Sequence, residues 1–177
     1  GPMSANDEHL DFIRAELDWL PAVLDTNTPF LGICLGAQIL ARVLGAQVAK
    51  HPQQQAEIGY FPITGHANLR SLSHVFQWHF EGFDLPSGME SLASTTMFPN
   101  QAFRATESVY GLQFHPEITA SLIIEWTTRG AAALTTPGAQ SRMTQLQQHQ
   151  QHGAQVQQWL ASFLQDWLAT PRLANCA

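Results

Sequence analysis

The feature that most constrains the fold is a short apolar segment that runs directly into a turn containing a cysteine and then into an amphipathic helix. Residues 29–33 are apolar and follow Thr28, which is typical of a short buried strand. Apolar side chains then recur at helical spacing from Leu35 to Leu44. Gly32 and Gly36 flank Cys34 by two positions on each side, the pattern of a nucleophile elbow with cysteine in place of serine. This order predicts an α/β unit with Cys34 at the turn.

Cys34 would stand where a thiol can act as a nucleophile. At a helix N-terminus, unpaired N–H groups and the macrodipole favour the thiolate. The turn is tight, so small residues are needed around it, and the two glycines supply them. The alternative is that Cys34 is a small core residue, which is common for a cysteine beside a glycine.

A second motif, His115-Pro116-Glu117, follows a predicted strand over residues 108–114. Pro116 keeps His115 out of the α region, so residues 115–117 are expected to be extended, and side chains two apart then share a face. Glu117 can therefore fix the imidazole tautomer while the other ring nitrogen faces Cys34. Alone, such a motif is typical of a surface turn. The two motifs together favour a triad of Cys34, His115 and Glu117.

The remaining elements follow from hydrophobic periodicity and turn residues. A helix is predicted over residues 7–24, capped by Asn6 and Asp7. Residues 81–88 are predicted to be a loop. The other predicted strands cover 47–50, 57–63, 74–79, 91–96 and 101–106, and the other predicted helices cover 118–128 and 140–169.

Segments 32–38 and 111–117 resemble the two signatures of the class I (triad-type) glutamine amidotransferases. The similarity runs from residue 1 to about residue 128, and more loosely through the predicted C-terminal helices. Further segments resemble the stand-alone, GMP synthase-like branch of that family, namely 57–62, 77–80, 83–86 and 100–104. The resemblance implies a flavodoxin-like three-layer α/β/α fold with a largely parallel sheet, and it implies no cofactor and no metal.

The resemblance also implies a catalytic role for each residue of the triad. Cys34 attacks the side-chain amide carbon of glutamine, His115 transfers the proton, and Glu117 orients His115. The backbone N–H of Leu35 forms half of an oxyanion hole, and Gly1 stands near the position that supplies the other half.

Substrate contacts are implied for a second group of residues around the same pocket. Gln38, one helical turn after Cys34, would hold the α-amino and carboxylate end of glutamine. The main chain of Trp78, His79 and Phe80 would line the pocket, and many relatives carry glycine at the position of Phe80.

The N-terminus departs from the family pattern. Gly1 and Pro2 stand where a Gly-Gly-Pro motif would be ending, and relatives carry enough residues before it for two parallel strands and a helix. Gly1 and Pro2 are either that native motif in a shortened chain or the remnant of a protease site before an initiating Met3. Both alternatives predict a truncated sheet and an incomplete oxyanion hole, a defect that costs about 10²–10³ in rate.

Length, charge and cysteine content limit the number of domains, the class of partner and the compartment that the chain suggests. A chain of 177 residues is expected to form one domain over 1–177, with a core over 1–136 and a C-terminal helical segment over 137–177. The net charge of −6 argues against a nucleic-acid partner. Gln38 and Arg42 interrupt the most apolar stretch, so we expect no membrane span. Two cysteines and no visible signal peptide favour a reducing cytoplasm.

Two histidines of the glutamine-rich stretch 140–158 raise the question of a metal site. His149 and His152 are three apart on a predicted helix and could face one way. No carboxylate or cysteine lies near enough in the sequence to complete a ligand shell. We therefore interpret them as part of a solvated helix face and predict no metal site.

Three functions follow from these observations. The first is hydrolysis of glutamine, with ammonia passed to a separate synthase subunit. The second is a γ-glutamyl peptidase or hydrolase, which uses the same triad but selects its leaving group through contacts with loops such as 51–57 and 81–88. The third is a catalytically impaired, truncated scaffold with a binding role, which predicts a homodimer because missing strands expose apolar sheet surface.

The DJ-1-like proteins form a different family that shares the fold and the cysteine elbow. In that family a histidine commonly follows the cysteine almost directly. Here Leu35 occupies that position and the histidine comes much later, so we set that family aside.

Overall fold

A five-stranded sheet forms the centre of the structure, a computed structural model that describes residues 3–26 and 28–169. The strands are β1 (Phe30–Ile33), β2 (Val48–Lys50), β3 (Glu57–Pro62), β4 (Thr64–Gly65), β5 (His74–His79), β6 (Glu81–Phe83), β7 (Glu90–Ser94), β8 (Ala102–Thr106) and β9 (Val109–Leu112). The helices are α1 (Asp11–Asp25), α2 (Leu35–Val43), α3 (Ala120–Arg129) and α4 (Arg142–Ala169), with 3₁₀ turns at Ala67–Leu69 and Ala131–Thr135.

The central sheet has the order β1-β9-β8-β7-β4, and β2-β6 and β3-β5 form two small antiparallel pairs. The expectation of a largely parallel sheet is wrong for the described residues, in which β1 and β9 are the only strands that pair in parallel. The reason lies in the connections. Only residues 107–108 separate β8 from β9, and a parallel pair needs a much longer crossover.

Helices cover both faces of the central sheet, so the predicted three-layer α/β/α arrangement is confirmed. Alternate residues of β9 point to opposite faces. Tyr110 and Leu112 belong to the core cluster that includes Trp159 of α4, whereas Val109 belongs to the cluster that includes Leu40 of α2. This packing fixes the carboxyl ends of β1 and β9 side by side, which is where both sequence motifs begin.

Two predicted boundaries near the site differ from the structure. The first helix begins at Asp11 instead of residue 7, because Asn6 and Asp7 are used in a preceding turn and do not cap it. Asp7 Oδ2 accepts the N–H of Ser4 over 2.8 Å, and Asn6 Nδ2 donates to the carbonyl of Val48 over 2.8 Å. Residues 81–83 form strand β6 where a loop was predicted, because they pair with β2.

The interpretation of His149 and His152 as a solvated face is also wrong. His149 Nδ1 lies 2.7 Å from the hydroxyl of Tyr60, and the ring of His152 stacks on that of His74 with centroids 4.1 Å apart. Burial lowers the pKa of both histidines, and the nearby charge of His74 lowers that of His152 further. The described residues contain no group of three or more potential ligands that could hold a metal ion.

None of the helices described in the structure combines the length and the apolar character needed to cross a membrane.

Candidate active site

Cys34 lies at a sharp turn between β1 and α2. Its φ of 50° and ψ of −106° fall in a region that residues other than glycine rarely adopt. Its N–H donates to the carbonyl of Leu112 over 2.7 Å, so the turn is tied to the end of β9. Strained backbone of this kind clusters at functional sites, because the surrounding structure must hold it in place.

The two glycines of the elbow have different reasons for being glycine. A Cβ at Gly32 would lie 2.5 Å from the carbonyl oxygen of Gly36 and 2.7 Å from the nitrogen of Ala37, both backbone atoms that cannot move aside. A Cβ at Gly36 would meet nothing within 4 Å beyond its own turn of helix, and its φ is not in the left-handed range. The close approach of strand and helix therefore requires a glycine at position 32 alone.

We expect Gly32→Ala to lower the free energy of unfolding by about 1–3 kcal/mol or more, because the methyl group collides with the backbone of α2. Gly36→Ala is the matched control and is expected to leave stability unchanged or to raise it by up to about 1 kcal/mol, since alanine favours helix. Urea denaturation of both variants measures the difference. Equal effects at the two positions would contradict the steric account.

His115 and Glu117 lie on one face of the segment that follows β9. His115 Nδ1 is 2.7 Å from Glu117 Oε1, and Cys34 is close enough to interact with the His115 ring. Because Glu117 occupies Nδ1, the ring nitrogen available to the sulfur is Nε2. The edge of the His115 ring packs against Trp126 of α3, with centroids 4.9 Å apart, which leaves the imidazole little freedom to rotate.

The protonation of His115 is set by opposing influences. Burial is the largest single influence and disfavours the charged ring, but the hydrogen bonds with Cys34 and Glu117 and the charges of both residues outweigh it. Together they raise the pKa of His115 to about 9. At neutral pH the ring is therefore an imidazolium, placed between the sulfur and a carboxylate.

A cleft of about 1030 Å³ opens over the sulfur. Its walls come from the N-terminal segment that includes Ser4, from the turn between β5 and β6, and from α3. Ser4 Oγ donates to Glu81 Oε2 over 2.6 Å and so joins two of these walls. Lys50 and Arg129 place two positive charges on the lining.

The structure places the residues predicted to bind substrate around this cleft. Leu35 lines it, and its N–H belongs to the first turn of α2, whose N–H groups have no partner within the helix. The carbonyl oxygen of Trp78 lies 4.0 Å from Cys34 Sγ. Phe80 is 38% exposed at the cleft, and His79 lines it from a buried position. The prediction for Gly1 lies outside the described residues.

Gln38 also lines the cleft, but both of its amide N–H groups are engaged by the protein. Nε2 donates to the carbonyl of Glu81 over 2.9 Å and to Gln113 Oε1 over 3.1 Å. The remaining atom, Oε1, can only accept a hydrogen bond. A ligand group that binds Gln38 is therefore a donor such as an ammonium, and a carboxylate does not fit.

Behind the cleft, a buried carboxylate supports the turn between β5 and β6. Glu57 Oε2 lies 3.1 Å from His79 Nε2, and the two side chains are 1% and 2% exposed. His79 Nδ1 lies 2.9 Å from the carbonyl oxygen of Glu81, which can only accept, so Nδ1 carries a proton. Gln101 Nε2 donates to Glu57 Oε2 over 2.8 Å, and Thr95 Oγ1 donates to Glu57 Oε1 over 2.6 Å.

Sequence reasoning missed two residues that contact the predicted triad. Trp126 packs on His115, and nothing in its sequence position on α3 indicates this. Gln113 Nε2 lies 3.6 Å from Cys34 Sγ. A polar residue in an otherwise apolar strand two positions before His115 was the one signal that could have pointed to Gln113.

The family described as glutamine amidotransferase class-I matches residues 1–123, and the chain belongs to this family. Over 138 residues it is 35% identical to a glutamine-hydrolysing GMP synthase of Marinobacter nauticus, an alignment that covers 65% of this chain and 26% of that protein. Over 107 residues it is 38% identical to the small chain of carbamoyl phosphate synthase of Maricaulis maris, covering 57% of this chain and 27% of that one.

Solved structures agree with this assignment. A glutamine amidotransferase of Thermotoga maritima superimposes with a TM-score of 0.84 at 28% identity, over 96% of this chain and 76% of that chain. The chain spans about a quarter of the length of the two curated relatives. The resemblance to class I, GMP synthase-like amidotransferases is thus confirmed at the level of family and fold.

Proposed function

We propose that the chain hydrolyses the side-chain amide of glutamine through a thioester on Cys34 and releases ammonia. One observation carries the proposal: a cysteine held in strained backbone at a helix start interacts with a histidine whose Nδ1 is held by a carboxylate. A nucleophile, a base and a group that orients the base form the arrangement that acyl transfer requires.

The thiolate of Cys34 forms a bond to the amide carbon, and the carbonyl electrons move onto oxygen, where the N–H of Leu35 can donate to them. The imidazolium of His115 then gives its proton to the amide nitrogen, the C–N bond breaks, and ammonia leaves. Neutral His115 next takes a proton from water, whose oxygen attacks the thioester. The C–S bond breaks, glutamate departs, and the thiolate and imidazolium are restored.

The ammonia acceptor is proposed to be a synthase partner. Two relatives support this proposal, since one is a glutamine-hydrolysing GMP synthase and the other is the small chain of a carbamoyl phosphate synthase. We also propose a cytoplasmic setting, because an oxidising compartment would convert an accessible thiolate to a sulfenic acid or a disulfide.

The size of the cleft favours a second candidate, a γ-glutamyl hydrolase. Ligand pockets of about 300–1,000 Å³ hold drug-sized molecules, and glutamine is far smaller than that. The cleft measures about 1030 Å³ and is lined by Lys50 and Arg129. These two cations would suit the carboxylate of an amino acid joined to the γ-glutamyl group.

A panel of three substrates separates the candidates. We expect hydrolysis of glutamine, measured as ammonia release, to be faster than that of γ-glutamylalanine and γ-glutamylethylamide. Faster hydrolysis of γ-glutamylalanine than of both other compounds would support the second candidate, because only this compound carries a carboxylate on its leaving group. If all three stay intact while iodoacetamide still labels Cys34, both enzymatic proposals fail and a binding role takes their place.

A further inference from the structure

Gln113 is a fully buried glutamine whose side chain ends beside the proposed nucleophile. It lies between β9 and His115, and its own N–H is bound by the carbonyl of Gln101 over 2.8 Å. Its Nε2 is 3.6 Å from Cys34 Sγ, and its Oε1 accepts from Gln38 Nε2. A buried amide of this kind either fills a polar gap or acts on the sulfur.

The contacts of Gln38 fix which end of the Gln113 amide faces the sulfur. The carbonyl oxygen of Glu81 can only accept, so the Gln38 atom 2.9 Å away from it must be the NH₂ group. The second hydrogen of that NH₂ group points to Gln113, whose facing atom must therefore be its carbonyl oxygen. The NH₂ group of Gln113 is left to face Cys34.

An N–H directed at sulfur acts differently on its two protonation states. A hydrogen bond to a charged acceptor is about twice as strong as one to a neutral acceptor, so the donor favours the thiolate over the thiol. A negative charge forms again on sulfur when the thioester breaks down. A hydrogen-bond donor that already points at the sulfur can stabilise this charge without any rearrangement of the site. In the proposed mechanism His115 has by then taken the proton of the attacking water and keeps it, so sulfur leaves as a thiolate and needs a stabilising donor.

We propose that Gln113 is a further catalytic residue of this site, whose side-chain N–H donates to Cys34 Sγ and stabilises the thiolate before attack and during thioester breakdown. The proposal rests on the proposed function for its catalytic consequence. The contact of Gln113 with the sulfur does not depend on that function, and this allows the two to be tested separately.

The test is the pH profile of Cys34 alkylation by iodoacetamide, followed by mass spectrometry of the intact protein. Gln113→Met keeps the length of the side chain but has no side-chain N–H. In this variant the midpoint of the pH profile of alkylation is expected to rise by about one pH unit, which is a tenfold change in the thiolate–thiol equilibrium. Gln113→Glu places a carboxylate near the sulfur and is expected to raise the midpoint at least as far. This second variant preserves shape and polarity, should the methionine variant not fold.

The matched control is Gln145→Met, because Gln145 is an equally buried glutamine on α4, with its Nε2 bound to the carbonyl of Gln140. Its midpoint is expected to equal that of the wild type. The charged and titratable groups that line the cleft are left unchanged in all three variants: Asp7, Lys50, His79, Glu81, His115 and Arg129.

A wild-type midpoint in both Gln113 variants, or the same rise in Gln145→Met, would overturn the proposal and leave Gln113 with a packing role. Alkylation needs no turnover, so this result is independent of whether glutamine is hydrolysed. If the midpoint rises as expected and thioester breakdown limits the hydrolysis of glutamine, Gln113→Met should lower kcat by about tenfold, since charge develops on sulfur in that step.

Discussion

Replacing Cys34 with alanine is expected to lower the rate of glutamine hydrolysis by about a thousandfold or more. The proposed reaction passes through a covalent bond to Sγ, and removing the nucleophile from a triad leaves only the modest acceleration that binding and an oxyanion hole provide. Alanine tolerates the strained backbone at this position as well as cysteine does, so the fold should persist. Ammonia release from glutamine measures the activity, and urea denaturation measures the stability.

The chemically matched control is Cys176→Ala, which changes the second cysteine of the chain in the same way. We expect wild-type activity from this variant and an alkylation of Cys34 that is unchanged. Residual hydrolysis in Cys34→Ala comparable to that of the wild type would rule out the thioester mechanism.

The second large effect is expected at Glu57, where Glu57→Ala should lower the free energy of unfolding by about 3–5 kcal/mol. The carboxyl group is hydrogen-bonded to His79, Gln101 and Thr95, and the side chains of Glu57 and His79 are almost completely buried. Removing it leaves buried His79 Nε2 without a hydrogen-bond partner, so that this group loses its hydration without compensation, and Gln101 and Thr95 each lose one of their partners. Urea denaturation followed by circular dichroism measures the loss.

Two further variants, Glu57→Gln and Glu125→Ala, test whether the loss of stability in Glu57→Ala comes from the broken hydrogen-bond network or only from the loss of a negative charge. Glu57→Gln keeps an oxygen for His79 and Gln101, while its NH₂ group can donate to Thr95, whose hydroxyl has a second acceptor 3.0 Å away in the carbonyl of Phe98. Its loss is therefore expected to be much smaller than that of Glu57→Ala.

The exposed counterpart is Glu125, which pairs with Arg129 over 3.0 Å with side chains that are 45% and 81% exposed. Glu125→Ala is expected to cost at most about 0.5 kcal/mol, because solvent screens surface pairs within a helix. A loss in Glu57→Ala no larger than in Glu125→Ala would show that the buried network does not hold the turn between β5 and β6.

These experiments concern two kinds of residue that differ in how well the sequence revealed them. Cys34, His115 and Glu117 belong to short local patterns, and the structure brings the three side chains into contact. Their catalytic roles stay a prediction until the variants are measured. Gly36, in contrast, was predicted to be small for steric reasons, whereas the structure requires this only of Gly32.

Secondary structure around the site was likewise predicted well where the signal is local and poorly where it depends on pairing with distant strands. The strand and helix on either side of Cys34 were predicted closely, because the change from strand to helix periodicity lies within a few residues. Strand β6 was predicted as a loop, since three residues carry no periodic signal and become a strand only by pairing with β2. Antiparallel pairing of β7, β8 and β9 likewise depended on connection lengths that the family resemblance did not convey.

By itself, the sequence determined the elbow that carries Cys34, the His115-Pro116-Glu117 segment, and the family to which the chain belongs, because each is encoded by residues close together along the chain. Only the tertiary structure decided that Gln113 reaches the sulfur and that Glu57 supports His79. A polar side chain in an apolar stretch can stand out in the sequence, as Gln113 does, but the sequence does not indicate which side chains it contacts. Its partners come from separate elements, and those elements meet only after the sheet and helices have packed.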